Sequence, residues 1–399
     1  MKKIKHITSS NKSNIIELIR SNESIFKAEI ARLTGLSIPT VMRITDELIN
    51  DGIVNIAGKG KSSGGKPPEL LQIIPNSKYF IGVDIGGEHN KSVILDLKGS
   101  VVDRRKEKKS SNDIGYDQIF RRINQIIETI ISNSGIPKDS IAGIGVGIPG
   151  IVDPKSGCVV SANLQLDNCD LMTPIKNHFS YPVLIDNTAK VMAIGEQWFG
   201  NGEVLNDFIL LALGPGIGSA IIIDGDIYRG SHNMSGEVGH IIIDSKGPLC
   251  KCGVSGCLEA LASRTAIRRM AQERLKGVTS SKMIEIANGS LEDIDARIVF
   301  QAADSGDKLA LEIANQVMDY LCIGIINLVS LFDVEYIIIS GEMAKESEFL
   351  IRGLNERVRI YKRPYFGNLD IHLEKSSMGE DAAAIGAATL ALRSFISTY

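Results

Sequence analysis

The sequence predicts a mixed α/β chain: a short helix-and-ribbon head followed by a duplicated α/β body. Three observations carry this reading. Within the first fifty residues two helical patterns are followed by a turn and a third helical pattern. A β-run, glycine turn, β-run pattern then occurs twice, starting near residues 79 and 208. The length of 399 residues with 44% hydrophobic side chains exceeds one ordinary core, so two to three domains are expected.

In the head, helical patterns over residues 13–21 and 27–33 precede Thr34-Gly35-Leu36-Ser37, and a third pattern runs over 38–50. This is a helix-turn-helix arrangement. Ala31 lies where two helices should touch, Gly35 suits a left-handed turn, and Val41 points back into a small core. Ser37 is a good N-cap, and Pro39 is tolerated in a first turn whose N–H groups lack helical partners. The outward face at the start of the third helix offers Ser37, Thr40 and Arg43. Arginine reads guanine bidentately, and threonine meets a thymine methyl or a phosphate. A small dimerisation bundle would share the helices but has no use for the turn, the spacing and the basic charge together.

Residues 53–56 and 70–73 read as a β-ribbon, the wing, with the tip Gly58-Lys59-Gly-Lys61-Ser-Ser-Gly-Gly-Lys66-Pro-Pro68. Lys59, Lys61 and Lys66 are candidate contacts to a DNA backbone or minor groove, the alternative being a plain flexible linker. Residues 1–69 carry 11 Lys+Arg against 7 Asp+Glu, a net +4 in a chain whose total is −3, which leaves −7 for the rest. A basic head on an acidic body directs only the head toward a polyanion. Aromatics at 5% argue against a stacking surface for single strands.

In the body, the run entering Asp84-Ile-Gly86-Gly87 and the run entering Gly214-Pro215-Gly216 each return after the turn. Two such hairpins imply a duplication whose glycine turns face a shared cleft. In a kinase such turns cradle phosphates through N–H groups, with Asp84 near the metal-nucleotide, although hairpins also need glycine for geometry alone. Ile119, Ile123, Ile126, Ile127 and Ile130 mark an amphipathic helix over the first sheet. A buried helix over 321–331, a strand over 336–339 and a last helix over 382–392 complete the expected body. No apolar run approaches the length of a membrane span, and Met1-Lys2-Lys3 opens no signal-like segment, so a cytoplasmic location is expected.

Three of the six cysteines, Cys250, Cys252 and Cys257, fall within eight residues, a spacing suited to metal rather than to a disulfide framework. His240 is the nearby histidine with a credible approach, and one His with three Cys makes a closed, structural zinc site. The bland alternative is three reduced cysteines in a surface loop. Glu237 and Glu259 flank the ligands, so folding around zinc would set two carboxylates and an imidazole edge on one wall, suited to sugar hydroxyls.

Five stretches together resemble the ROK family of repressors, open reading frames and kinases, over essentially the whole chain. They are the head with its Ser-Ser-Gly-Gly-Lys-Pro-Pro tip, Asp84-Ile-Gly-Gly87, Gly143-Ile-Gly-Val-Gly-Ile-Pro-Gly150, Gly236-Glu237-Val-Gly-His240 and Cys250-Lys-Cys252-Gly-Val-Ser-Gly-Cys257-Leu-Glu259. The head points to the repressor branch, and the pattern is most similar to xylose-repressor-like members. The resemblance implies an actin-like, ribonuclease-H-like duplicated ATPase fold behind a winged helix-turn-helix. It implies domains at 1–75, at 76–190 with 380–399, and at 191–379. It also implies the same four zinc ligands, and sugar binding by Asn163, Asn187, Glu237, His240 and Glu259.

Phosphorylating a sugar hydroxyl needs a base within hydrogen-bond reach, which ROK kinases supply as the aspartate of a Glu-Asn-Asp-Ala-Asn-like run. The corresponding run is Asp186-Asn187-Thr188-Ala189-Lys190, anchored by Gly195-Glu196, so Thr188 stands where the base should be. Glu88 replaces the threonine usual after Asp-Ile-Gly-Gly and sets negative charge beside would-be phosphates; Pro215 replaces the threonine of the second turn and removes an N–H. No catalytic residue is therefore expected. The expected function is a sugar-responsive, operator-binding repressor of carbohydrate-utilisation genes, acting as a homodimer or higher homo-oligomer on double-stranded DNA, with a catalytically dead effector sensor. Two rivals stand beside it: an active sugar kinase with a regulatory head, and a repressor whose body binds a sugar-transport protein.

Overall fold

In a computed structural model of the chain, residues 10–60, 68–110, 113–361 and 370–399 are described. Ser10 accepts the Lys12 N–H at 3.3 Å and opens α1 (Asn11–Ser21). The two-residue strand β1 (Ile25–Phe26) leads into α2 (Lys27–Thr34), which stops at Gly35. There a φ of 72° lets the Gly35 N–H reach the Ala31 carbonyl at 2.9 Å, a left-handed cap. Ser37 caps α3 (Ile38–Asn50) by accepting the Thr40 N–H at 3.3 Å, with Pro39 in the first turn as expected. The wing pairs β2 (Val54–Lys59) antiparallel with β3 (Glu69–Ile73), and β1 adds to the other edge of β3. Ile15, Ile16, Ile19, Ile30, Val41, Ile44, Leu48, Ile53 and Leu71, all at most 3% exposed, form the head's core.

The body continues with β4 (Tyr79–Asp84), β5 (His89–Asp96), β6 (Val101–Lys108), α4 (Tyr116–Ser134) and β7 (Ile141–Ile148). A side sheet of β8 (Ile151–Asp153), β9 (Cys158–Ser161) and β10 (Leu166–Asp170) follows, then α5 (Met172–Phe179), β11 (Val183–Asn187) and α6 (Thr188–Phe199). Next come β12 (Phe208–Leu213), β13 (Ile217–Ile223), β14 (Asp226–Ile227), α7 (Leu258–Ala262), α8 (Arg264–Arg274) and α9 (Lys282–Ile286). The chain ends with α10 (Ala296–Asp304), α11 (Lys308–Phe332), β15 (Tyr336–Ser340), α12 (Glu342–Glu346), α13 (Glu348–Tyr361), β16 (His372–Lys375) and α14 (Ala382–Thr398).

Packing divides the described residues into two units. One runs up to Gly195 and includes Ala383–Tyr399; the other is Glu196–Ala382. The sheet of the first has the order β6-β5-β4-β7-β11, and that of the second β14-β13-β12-β15-β16. In both, three antiparallel strands are followed by two parallel to the central one. Identical order and sense in the two units is the structural form of the duplication that the two glycine hairpins predict.

In the first unit α4 supplies the five predicted isoleucines to one face of the sheet, against Ile81, Val83, Ile94, Ile144 and Val146. On the other face the C-terminal helix comes unusually close. A Cβ on Gly82 would lie 2.0 Å from the Ala384 carbonyl oxygen, and one on Gly145 would lie 1.8 Å from that of Ala387. Glycine is required at both because α14 rests on the strand backbones themselves. The second unit gathers its core around α11, whose Ile313, Val317, Leu321, Ile325 and Leu328 meet Ile209 and Leu211 of β12 and Ile337 and Ile339 of β15.

That helix corrects two expectations. It spans 25 residues rather than the 321–331 segment, and by length and composition it is apolar enough to cross a membrane. Half of its apolar window is buried within the protein, the pattern of a core helix.

Candidate functional site: the cysteine cluster, the glycine turns and the third helix

In the second unit β13 returns from the glycine turn, and a short 3-10 turn, Val238–His240, leads to a loop held by single bridges Ile242 to Cys257 and Leu249 to Ser255. The loop folds back because the Ile243 N–H bonds the Gly256 carbonyl at 2.9 Å and the Cys250 N–H bonds that of Val254 at 2.9 Å. The result brings together all four predicted ligands: one donor atom each from His240, Cys250, Cys252 and Cys257 lies within 4.8 Å of the others. Cys252 Sγ is 3.6 Å from Cys257 Sγ, and Cys250 Sγ is 3.7 Å from His240 Nδ1. Metal–sulfur bonds of about 2.3 Å in a tetrahedron imply sulfur–sulfur edges of about 3.8 Å, so the donor set fits a thiolate-preferring divalent cation.

Burial pushes the Cys257 thiol up to about 12 and the Cys250 thiol upward too, whereas the Val254 N–H brings the Cys252 thiol down. Deprotonating such a cluster calls for a cation at its centre. With Nδ1 turned toward the sulfurs, Nε2 is the ring nitrogen left to His240, itself exposed.

Glu259, at the start of α7, is bound to the second glycine turn: its Oε2 accepts the Ile217 N–H at 2.9 Å, and a Cβ on Gly216 would lie 2.4 Å from that oxygen. The turn is fastened from α8 as well, by the Arg264 N–H to the Gly214 carbonyl at 2.9 Å and by Thr265 Oγ1 to the Pro215 carbonyl at 2.8 Å. Glu237 is half-buried, and its carbonyl accepts the His240 N–H at 3.0 Å. Glu237 and Glu259 thus share one loop-and-turn assembly with the cluster of His240, Cys250, Cys252 and Cys257.

In the first unit, β11 delivers Asp186 and Asn187 to the start of α6. Asn187 Oδ1 accepts the N–H groups of Ala189 at 2.9 Å and Lys190 at 3.2 Å, while Nδ2 donates to the Gly150 carbonyl at 2.8 Å. Asn187 is thus a helix cap first, with one amide N–H left over for a ligand, a role the sequence reading missed although Asn before Thr-Ala-Lys is a capping signal. Thr188 Oγ1 is buried with no hydrogen-bond partner. Asp186 is fully buried and accepts the Asn187 N–H at 2.8 Å. Lys190 is 1% exposed, so the lysine replacing the family's second asparagine lies inside the protein. Asn163 lies exposed in the 3-10 turn Ala162–Leu164, and Glu88 is exposed in the first glycine turn.

In the head, Arg43 is 67% exposed and pairs with Glu47 at 2.6 Å. Thr40 is half-buried, its hydroxyl 2.8 Å from that of the exposed Ser37. Lys59 closes β2; Lys61 and Lys66 lie outside the described residues. Sequence reasoning overlooked Ile38 and Met42, which are large, apolar and exposed on α3.

Comparison with known proteins agrees with both parts. A model described as winged helix-turn-helix DNA-binding matches residues 9–55, and one described as the ROK family matches residues 80–394. The xylose repressor of Caldicellulosiruptor bescii is 32% identical over 391 residues, 97% of this chain and 96% of its own. The glucokinase of Thermotoga maritima is 33% identical over 314 residues, 78% of this chain and 96% of its own. A solved ROK family transcriptional regulator, a homolog of the E. coli MLC protein, has a TM-score of 0.82 at 25% identity and covers 97% of both chains. The chain therefore belongs to the ROK family, in the form that carries a winged helix-turn-helix ahead of the family domain.

Proposed function

We propose that this protein is a sugar-responsive transcriptional repressor of carbohydrate-utilisation genes. The observation that carries the reading is the head itself: the xylose repressor aligns through it, over 97% of the chain, whereas the glucokinase stops at 78%. The head binds double-stranded operator DNA through Ser37, Thr40 and Arg43 of α3, with Lys59, Lys61 and Lys66 of the wing on the backbone or minor groove. Repressor function places the protein in the cytoplasm, and a homodimer suits two operator half-sites.

Zinc is held by His240, Cys250, Cys252 and Cys257 and acts as a structural ion. When bound it supplies positive charge that keeps the thiolates ionised. The carboxylates of Glu237 and Glu259 accept hydrogen bonds from sugar hydroxyls, His240 donates its Nε2–H to a hydroxyl oxygen, and Asn163 and Asn187 are two further sugar-binding positions. The sugar shifts a two-state equilibrium only by its differential affinity for the two states.

No catalysis accompanies binding. Thr188 cannot take a proton from a sugar hydroxyl near neutral pH, although its unpartnered Oγ1 remains able to hydrogen-bond one. Glu88 and Pro215 oppose a nucleotide phosphate by charge and by the missing N–H. The test is a panel of pentoses, hexoses and amino sugars applied in two assays to the same protein. At least one sugar releases the adjacent promoter DNA, while none drives ATP consumption above background. Enzyme-like turnover of ATP into sugar phosphate would identify a kinase with a regulatory head instead.

A further inference from the structure

We propose that Ile38 and Met42 read the C5-methyl groups of thymine in the major groove, so that each operator half-site presents thymine opposite this strip of α3. The proposal rests on the DNA-binding reading and adds a residue-level specificity to it.

The buried side of α3 consists of Val41, Ile44, Thr45 and Leu48. Ile38 and Met42 lie on the water side, 49% and 46% exposed, one helical turn apart with Pro39 exposed beside them. A single exposed apolar residue needs no explanation. Two in register are different when they stand on the third helix of a helix-turn-helix, the element that enters the groove. Neither belongs to the buried face of α3.

The surroundings suit an approach to a polyanion. Asp46 is held by Lys27 Nζ at 3.2 Å, and Glu47 is shared between Arg43 at 2.6 Å and Lys12 at 3.3 Å, so the acidic groups of α3 are countered by basic partners. Arg43, the one cation of α3, follows Met42 directly and is 67% exposed. On base edges in the major groove the thymine methyl is the one protruding apolar group, set among donors and acceptors. An unbranched, polarisable methionine adapts to a methyl's position, while a stiff, β-branched isoleucine presents a fixed surface.

The methyl can be removed without disturbing the hydrogen bonds of the pair, because deoxyuridine keeps the O4 acceptor of thymidine. The experiment selects binding duplexes from a random pool with the full-length protein. It then replaces each thymidine of the selected site by deoxyuridine and measures affinity at fixed salt. Wild type should lose roughly three- to fivefold at one or two positions per half-site, the value of one buried methyl. Met42→Ala and Ile38→Ala should each bind the thymidine duplex more weakly and become indifferent to deoxyuridine at one of those positions, while Met42→Leu keeps the preference. Arg43→Ala should lose guanine preference and keep methyl sensitivity. The proposal fails if wild type binds but ignores every replacement, or if the sensitive positions persist when Ile38→Ala and Met42→Ala are combined. It also fails if the variants change subunit association instead of base preference, since the strip would then be a contact between copies. If no duplex is selected at all, the DNA-binding reading itself falls and takes the proposal with it.

Discussion

Glu259 ties the proposed sugar site to the fold. Its Oε2 is fixed by the Ile217 N–H, and Gly216 is the neighbour that leaves room for it. In Gly216→Ala the new methyl would stand 2.4 Å from that oxygen, so the carboxylate must swing away. The backbone of the turn need not move, because the clash is with the far end of a flexible side chain. The expected outcome is sugar affinity reduced about tenfold, or about 1.4 kcal/mol, with the melting temperature almost unchanged. Isothermal titration alongside thermal denaturation checks both halves of the expectation. The metal donors should behave oppositely. Cys252→Ser, or removal of the ion by a chelator, should lower both the zinc content measured by emission spectroscopy, from one per chain toward zero, and the melting temperature. The loop has two isolated bridges and a few backbone hydrogen bonds but no regular strand pairing, so four metal bonds would add a large share of its stability. A protein that keeps its melting temperature and its sugar response without metal would show that the cluster is only a group of reduced thiols.

At the scale of elements, local chemistry sets the boundaries and long-range packing sets the partners. Asp295 caps α10 by accepting the Ile298 N–H at 3.0 Å, and it also pairs with Arg264 at 2.9 Å, whose other arm binds Glu342. Burial alone would raise the Asp295 carboxyl, but the Ile298 N–H and the Arg264 guanidinium outweigh it and hold the group below its ordinary value. A carboxyl depressed in the folded state stabilises above its unfolded value of about 3.9, and the contribution is lost as pH falls through the depressed folded value. Asp295→Ala should therefore cost about 1–3 kcal/mol at neutral pH through the lost cap and the half-paired arginine. Asp295→Asn keeps an oxygen for the cap and should cost less. In denaturant titrations from pH 7 to pH 3, the gap between wild type and Asp295→Asn should narrow on the acid side; a gap independent of pH would remove the ion pair from the account. Caps of this kind are why much was readable beforehand. Ser37, Gly35 and Pro39 announce α3, and the isoleucines of α4 announce their face. What was not readable is non-local. The two-residue β1 exists only because β3 offers it an edge, and α11 extends to 25 residues because its early half packs on α10 and α13. The convergence of His240 with three cysteines could be read from spacing and the cap of Asn187 from its neighbours, but not its further bond to the Gly150 carbonyl, 37 residues away in sequence.

For the whole molecule, the open question of mechanism is how a sugar-sensing body reaches a DNA-reading head. The described residues of the first unit contain a physical link. Arg20, near the end of α1, is 8% exposed; both carboxylate oxygens of Glu17 hold it at 2.6 Å, and its Nη1 donates to the Lys98 carbonyl at 3.0 Å. Lys98 lies in the turn joining β5 to β6, and β5 is the strand that returns from the Asp84-Ile-Gly-Gly87 turn. Two further contacts lie nearby: the Leu97 N–H bonds the Pro75 carbonyl at 2.9 Å, and Lys12 Nζ stands 4.9 Å from the centre of the Tyr399 ring at the end of α14. A displacement of the β4–β5 hairpin would thus reach α1 through a guanidinium whose geometry is fixed at both ends, which a more loosely held lysine could not transmit equally well. Allosteric coupling energies of about 1–3 kcal/mol correspond to roughly 5- to 150-fold in affinity, a range one such link can influence. Arg20→Ala should therefore leave operator affinity without sugar within about threefold of wild type, while sugar-induced release shrinks about tenfold or more; Arg20→Lys should fall between. Fluorescence anisotropy on a labelled operator, with and without the effector, measures both quantities. Circular dichroism of the same samples separates a lost link from an unfolded head. If Arg20→Ala folds, binds and releases the operator as wild type does, the signal does not pass through this guanidinium, and the contacts of Lys12 and Leu97 become the next candidates.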